Sequence, residues 1–473
     1  LHRFWGEVVT PLIHALGDPS AAVRRRAVEA LGELGGRGAL SCIPILAVEE
    51  VKVKAQADIL ELTARPVPAI TAALKDPAPG VRAAAVVALS KFRAEKAADA
   101  VVALSRDPDR DVRWSAAWAL GDLGARDAGG AVAALLSDQS ALVRAKAAWA
   151  LGKLEAKEHA RDVAVLLKDP DRFVRREAAI ALGTLGSAAT LPVLAGTLDD
   201  ADPLVRVFAA RSLGDLRDPG ALPALEKAAR DSNPLVRRSA VQALGALPSP
   251  KAVDLLTQAL DDPDRPTRRL AVQALEQRRT PEVVPGLARA VTHRDRDLRQ
   301  QAVEALGRIG FLGVPGAGAP LISALRDPDA EVRRAAAIAI KRSRPEGAAE
   351  PLLELARKER GPVRLAAIDA LGRYNDDRVI AYLTGLFSAP DCLVRALAFE
   401  GLDNLGAPKP EGVLLAELRH SDPAIRMKGI DYVVCINPRG SKDTLKAMAD
   451  NDPDPRVRKA AATAAKKLEI PKH

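Results

Sequence analysis

Residues 94–124 read AEKAADAVVALSRDPDRDVRWSAAWALGDLG, and the fold is decided here. The first part, around Ala97–Leu104, has apolar residues at helical spacing and reads as a first helix, helix A. Asp107-Pro108 then punctuates the chain. Asp is expected to cap the next helix, because its carboxylate accepts orphan backbone N–H groups, and Pro suits a first helical position. Helix B is expected from about Asp109 to Leu120, with Gly121 and Gly124 closing it. With Arg113 as position zero, positions −1, +3, +4, +7 and +10 are apolar: Val112, Ala116, Ala117, Leu120 and Leu123. That is the buried stripe of an amphipathic helix.

The same reading works along nearly the whole chain. The Arg recurs at Arg24, Arg82, Arg113, Arg144, Arg175, Arg206, Arg237, Arg268, Arg299, Arg333, Arg364, Arg395, Arg426 and Arg458. Lys54 stands at a looser position between the first two. From Arg24 to Arg458 is 434 residues in 14 steps, a mean of 31. About 15 units follow, read as one continuous array over residues 1–473. A degenerate second unit covers 49–66, and an insertion between repeats lies near 310–319 (Gly310-Phe311-Leu312-Gly313). A helix pair this short cannot bury its own apolar face, so neighbouring pairs must stack.

Composition agrees. Aromatics are 3% of 473 residues and Ala supplies much of the apolar share, which suits close helix approach. No apolar run is long enough to span a membrane. The three cysteines, Cys42, Cys392 and Cys435, are far apart and exclude a disulfide scaffold or a cysteine zinc site of ordinary spacing. Cys42 and Cys392 fall beside apolar positions and are expected in or near the core. The net charge is +9, with 49 Arg against 21 Lys. The Arg that recurs once per unit is expected to be structural, which takes about 14 of the 49 out of any count of free basic charge. The chain opens on Leu1 without Met and reads as a fragment or processed chain. No signal peptide is visible, and a cytoplasmic protein is expected.

The pattern D-P-x-x-x-V-R-x-x-A-A-x-A-L-G-x-L-G resembles HEAT-like repeats of the phycobilin-lyase type. The resemblance implies an all-α, right-handed α-solenoid of about 15 helix pairs, with helix B lining the concave, binding side. It also implies that the repeat Arg and the turn Asp form a structural ladder, with each guanidinium bonding turn carboxylates or carbonyls in its own or the next unit. It is specific for fold and nearly silent on function.

Positions −2, +1, +2, +5 and +9 of helix B fall opposite the core stripe. Position +5 is segmented. Ile59, Val87, Trp118, Trp149 and Ile180 are apolar, whereas Asp369, Glu400 and Asp431 are acidic. Position −2 adds Leu142, Phe173, Leu204 and Leu235; positions +1 and +2 add Trp114 and Phe208. Clustered Trp on one face marks a contact site. The expected function is a non-catalytic scaffold binding an extended or large protein partner. Trp114, Trp118, Trp149 and Ile180 would anchor it, with Leu142, Phe173, Val87 and Phe208 around them. Asp369, Glu400 and Asp431 would select charge. A basic set, Arg238, Arg269, Arg308, Arg334 and Arg342, keeps phosphate or nucleic-acid binding open as an alternative, although no aromatics interleave it.

Catalysis has little support. The six histidines occupy different registers, and the paired His-Glu motifs that the related deoxyhypusine hydroxylases need are absent. No nucleophile elbow, phosphate loop or zinc pattern occurs. A chromophore lyase stacking a tetrapyrrole on the Trp patch is one enzyme alternative. A DNA glycosylase using Asp122 beside Trp118 is another. No cofactor or metal is expected.

Overall fold

The computed structural model describes residues 2–35, 66–186, 188–408, 417–436 and 441–468. Every regular element among them is helical, and the protein is an all-α solenoid. It divides into two compact units, Leu1–Leu255 and Leu256–His473. The B-helices of the first unit are α1 (Ala21–Gly35), α2 (Pro79–Lys91), α3 (Arg110–Leu123), α4 (Ala141–Leu154), α5 (Arg172–Leu185), α6 (Pro203–Asp215) and α7 (Pro234–Ala246). Those of the second are α8 (Arg265–Arg278), α9 (Arg296–Phe311), α10 (Ala330–Ser343), α11 (Gly361–Leu371), α12 (Cys392–Asn404), α13 (Pro423–Ile436) and α14 (Pro455–Lys467). Within each unit every B-helix packs on the next.

The core stripe follows the expected positions. Val112, Ala116, Ala117 and Leu120 are fully buried, while Leu123 is only half-buried. Helix A is shorter than the periodicity suggests. Ahead of α3 it is a 3₁₀ turn at Glu95–Ala97, an α-helix at Ala98–Ala103 and a second 3₁₀ turn at Leu104–Arg106.

Two sequence expectations need correction. First, the Asp of Asp107-Pro108 is not the cap. Asp109 caps α3, accepting from the N–H groups of Asp111 and Val112. Asp107 instead faces the preceding repeat. Second, Gly121 does not close α3. It lies inside the helix, buried, and Gly124 ends it with a left-handed φ of 68°. A Cβ on Gly121 would stand 2.9 Å from the Cα of Ala150 on α4, so the glycine permits close approach of two helices. α1 packs directly on α2, with Gly32 against Ala88. The degenerate second unit expected at 49–66 lies, but for Pro66, outside the described residues.

The ladder is built as follows. Each repeat Arg donates Nε and Nη2 to the Asp six residues before the next repeat's Arg. Its Nη1 donates to two carbonyls of its own turn. Arg113 reaches Asp138 at 2.7 and 3.0 Å, and the carbonyls of Asp107 and Pro108 at 2.9 and 3.0 Å. The same rung recurs at Arg24–Asp76, Arg82–Asp107, Arg144–Asp169, Arg175–Asp200 and Arg206–Asp231. The second unit is less regular. Arg299–Asp327 and Arg426–Asp452 keep the pattern. Arg268 pairs with Asp295, because His293 holds the usual acid position, and Arg333 turns to Glu359. Where Ala389 replaces the acid, Arg364 Nε is buried without a hydrogen bond. Where His420 replaces it, Arg395 lies 3.9 Å from the Tyr432 ring centroid.

Burial alone would push the carboxyls of Asp107, Asp138, Asp169 and Asp200 upward. Hydrogen bonds from the preceding Arg and from a backbone N–H, with the charge of both flanking arginines, hold them below their ordinary range. A carboxyl lowered in the folded state stabilises above its unfolded value and loses that contribution as pH falls through the native one. The first unit should therefore keep its stability down to about pH 3.9, the ordinary aspartate value, and lose it cooperatively below. A urea series read by Trp fluorescence at successive pH values tests this. Stability already lost well above that pH would remove the ladder as the cause.

Candidate partner-binding face

The functional face follows from helix geometry. Positions −2 and +5 are seven residues apart, nearly two turns, so both project from the same side about 10.5 Å apart. Adjacent B-helices lie about 8–10 Å apart. Side chains at these positions therefore form a grid.

In the first unit the structure brings most of the expected residues onto this grid, with unequal exposure. Leu142 on α4 and Phe173 on α5 are exposed, at 46% and 51%. Leu204 on α6 and Leu235 on α7 continue the row at 47% and 44%. One apolar ridge thus crosses four successive helices at their first turns. Trp114, Trp118, Trp149, Ile180, Val87 and Phe208 are half-buried. Trp149 has a packing role as well, since its ring lies over Gly121, 2.9 Å from where a Cβ would stand. Its outer surface is flanked by Lys146 and Lys153, each 5.8 Å from the ring centroid. Phe173 sits between Arg172 and Arg176, at 5.1 and 5.3 Å. The aromatics are therefore rimmed by cations. Beside them a groove of about 670 Å³ runs over α1, α2 and α3, floored by Ala83, Ala84 and Val87. Trp114 closes one side, and Arg25 and Glu29 line the other.

Leu204 and Leu235 prove as exposed as the two flanks named from sequence. Their signal was the repeated apolar residue at −2. The +5 position turns polar at the same helices, to Arg211 and Gln242, which hid the continuity of the row.

The acids are in the second unit, on α11, α12 and α13. Asp369 is held by Lys341 of α10 at 2.7 Å, whereas Glu400 and Asp431 are exposed. The basic set is partly neutralised: Arg308 pairs with Glu276, and Arg334 with Glu331. Asp122, one turn after Trp118 on α3, accepts a hydrogen bond from the Ser90 hydroxyl of α2 and so ties two helices together. Cys392 is exposed at the start of α12 and disulfide-bonded, contrary to the expected near-core thiol. Cys42, Ile59 and the Cys435 side chain lie outside the described residues. Among the described residues no His, Cys, Asp and Glu side chains converge on a metal site, and no helix is long and apolar enough to cross a membrane.

A family profile for HEAT repeats matches residues 67–129, 128–203, 195–276, 254–317, 318–391 and 383–466. A second, for a single HEAT repeat, matches residues 8–36. The chain belongs to the HEAT-repeat family. Among solved structures, the HEAT array is similar to the complex of CpcE and CpcF of phycocyanin lyase from Nostoc sp. PCC7120. The identity is 24%, over 45% of this chain and 87% of that one, with a TM-score of 0.33. An engineered protein matches at 21% identity over 85% of this chain and 99% of its own, with a TM-score of 0.36. Importin beta matches at 15% identity over 98% and 79%, with a TM-score of 0.47. No curated protein matches the chain.

Proposed function

We propose that this HEAT-repeat protein is a non-catalytic scaffold, and that the B-helix face of its first unit binds an extended segment of a protein partner. The carrying observation is the ridge Leu142, Phe173, Leu204 and Leu235, four exposed apolar side chains on four successive helices. Soluble surfaces rarely hold apolar groups in such a contiguous row without a contact to make. The helix spacing of about 8–10 Å matches one turn of a polyproline II segment, three residues at about 3.1 Å each, which returns every third side chain to the same face. A partner segment with apolar side chains at that interval would seat one on each helix. Trp114, Trp118, Trp149 and Ile180 would broaden the contact at one end. Asp369, Glu400 and Asp431, in the second unit, would act on a different part of a large partner. A cytoplasmic setting is part of the same proposal.

The test uses the intact chain and a Leu142→Ser/Phe173→Ser variant as baits in native lysate. Both side chains are exposed, so the variant should fold, and circular dichroism checks that. The expected result is one protein recovered by the intact chain alone, with binding little affected by salt. Equal recovery by both baits would end this reading. An affinity falling steeply with salt and lost on Arg269→Ala would favour nucleic acid instead.

A further inference from the structure

The insertion between α9 and the following A-helix builds a second surface, in the other unit. α9 has 16 residues against 14 in α8 and α10. The two extra residues, Gly310 and Phe311, and the C-cap Leu312 run beyond the packed stripe. They are 67% and 53% exposed. Gly313, at φ 83°, reverses the chain at once, a conformation that side-chain-bearing residues rarely adopt. Phe311 and Leu312, with buried Ile309 beneath, form the apolar wall of a groove of about 500 Å³.

Three arginines line the same groove: Arg279 after α8, Arg308 on α9 and Arg342 on α10. Arg308 is held by Glu276 at 2.5 and 2.8 Å. Arg279 and Arg342 are exposed and have no acidic partner among the described residues. Three arginines less one glutamate leave two positive charges at an otherwise apolar groove.

We propose that this groove binds an acidic peptide segment of a protein partner, with a Leu, Ile or Phe side chain against Phe311 and Leu312 and carboxylates on Arg279 and Arg342. Charge complementarity selects that occupant. Arginine forks match carboxylates bidentately, and a desolvated aromatic beside them is the usual make-up of an interface hot spot. Nucleic acid fits less well. Its backbone wants a row of free cations, and Glu276 and Glu304 interrupt this one by pairing with Arg308. The site is independent of the ridge in the first unit.

A displayed library of random peptides panned on the full chain, with counter-selection on a Phe311→Ser/Arg342→Glu variant, tests the assignment. Enriched peptides are then labelled with fluorescein and their affinities read by anisotropy. The expected sequences set Asp or Glu beside Leu, Ile or Phe. Phe311→Ser should weaken them about thirtyfold, the effect of losing one hot-spot residue. Arg279→Glu and Arg342→Glu should each weaken them too, and Leu142→Ser/Phe173→Ser should leave them unchanged. Enrichment of no acidic-apolar sequence, or equal binding by the Phe311→Ser chain, overturns the proposal. So does displacement of the peptide by oligouridylate with its own dependence on Phe311, which would make the groove a nucleic-acid site.

Discussion

Asp169→Ala should destabilise the first unit by about 3–5 kcal/mol, the usual cost of removing one partner from a buried ion pair. Asp169 accepts from Nε and Nη2 of Arg144 at 2.7 and 2.9 Å, and from the N–H of Asp171 at 2.9 Å. The two side chains are only 5% and 14% exposed. Without the carboxylate, the guanidinium keeps just the two carbonyls of Asp138 and Gln139 and has little water to replace what it lost. The free N–H of Asp171 is a second penalty at the entrance to α5. Repeat arrays are held by nearest-neighbour interfaces, so the damage should localise between α4 and α5 and split the unfolding into two steps. Trp149 reports it directly, because it lies on the same helix as Arg144. Urea unfolding followed by Trp fluorescence gives the number. A loss below about 1 kcal/mol would mean that the rung behaves as an ordinary surface pair. The double variant Arg144→Leu/Asp169→Leu should recover much of the loss, since an apolar pair of similar volume leaves no buried charge.

That rung also shows what the sequence could and could not disclose. A guanidinium that must reach one carboxylate in the next repeat fixes the six-residue offset between that Asp and its own Arg, so the repeat is easily read even where the spacing between repeats changes, as at Arg24–Asp76 and Arg299–Asp327. The role of the turn Asp as a ladder partner came from the resemblance to HEAT-like repeats, and its recurrence before most of the repeat arginines agrees with it. Its supposed second role as helix cap was not correct, because the helix starts at Arg110 and Asp109 stands next to its first turn, while the Asp107 carboxylate is taken up by Arg82 and by the N–H of Asp109. Periodicity reports which side of a helix is apolar, but not how closely a neighbouring helix comes. For that reason Gly121 reads as a terminator in sequence and works as a contact in the fold. The same blindness affects the tryptophans: a side chain opposite the core stripe can still lie across an adjacent helix, as Trp149 does over Gly121. The extended α9 was visible only as a three-residue irregularity. Its consequence, an exposed Phe beside unpaired arginines, depends on where three helix ends meet.

Gly214→Leu should be nearly as damaging as the broken rung, by about 3 kcal/mol, the upper range for overpacking a core. Gly214 is buried near the end of α6, and a Cβ there would stand 2.7 Å from both Cα and Cβ of Ala243 on α7. A flexible side chain could move aside; the backbone of a packed helix cannot, so α6 and α7 must separate. A glycine inside a helix costs about 1 kcal/mol relative to alanine through its backbone entropy. The chain accepts that cost here because the closer approach returns more in dispersion and burial. Gly196 supplies the internal control. It ends the A-helix Leu191–Gly196 with nothing near the position of a Cβ, so Gly196→Ala should be neutral or slightly stabilising. If the two substitutions had equal effects in urea unfolding, close packing would not be why Gly214 is there. Leu204 and Leu235 ride on the two helices that Gly214 holds together. A wedge between them would widen one step of the apolar ridge, so a partner that needs regular spacing should bind the Gly214→Leu chain more weakly even where the helices remain folded. A destabilised chain with undiminished affinity would show that the partner reads single side chains rather than the interval between them.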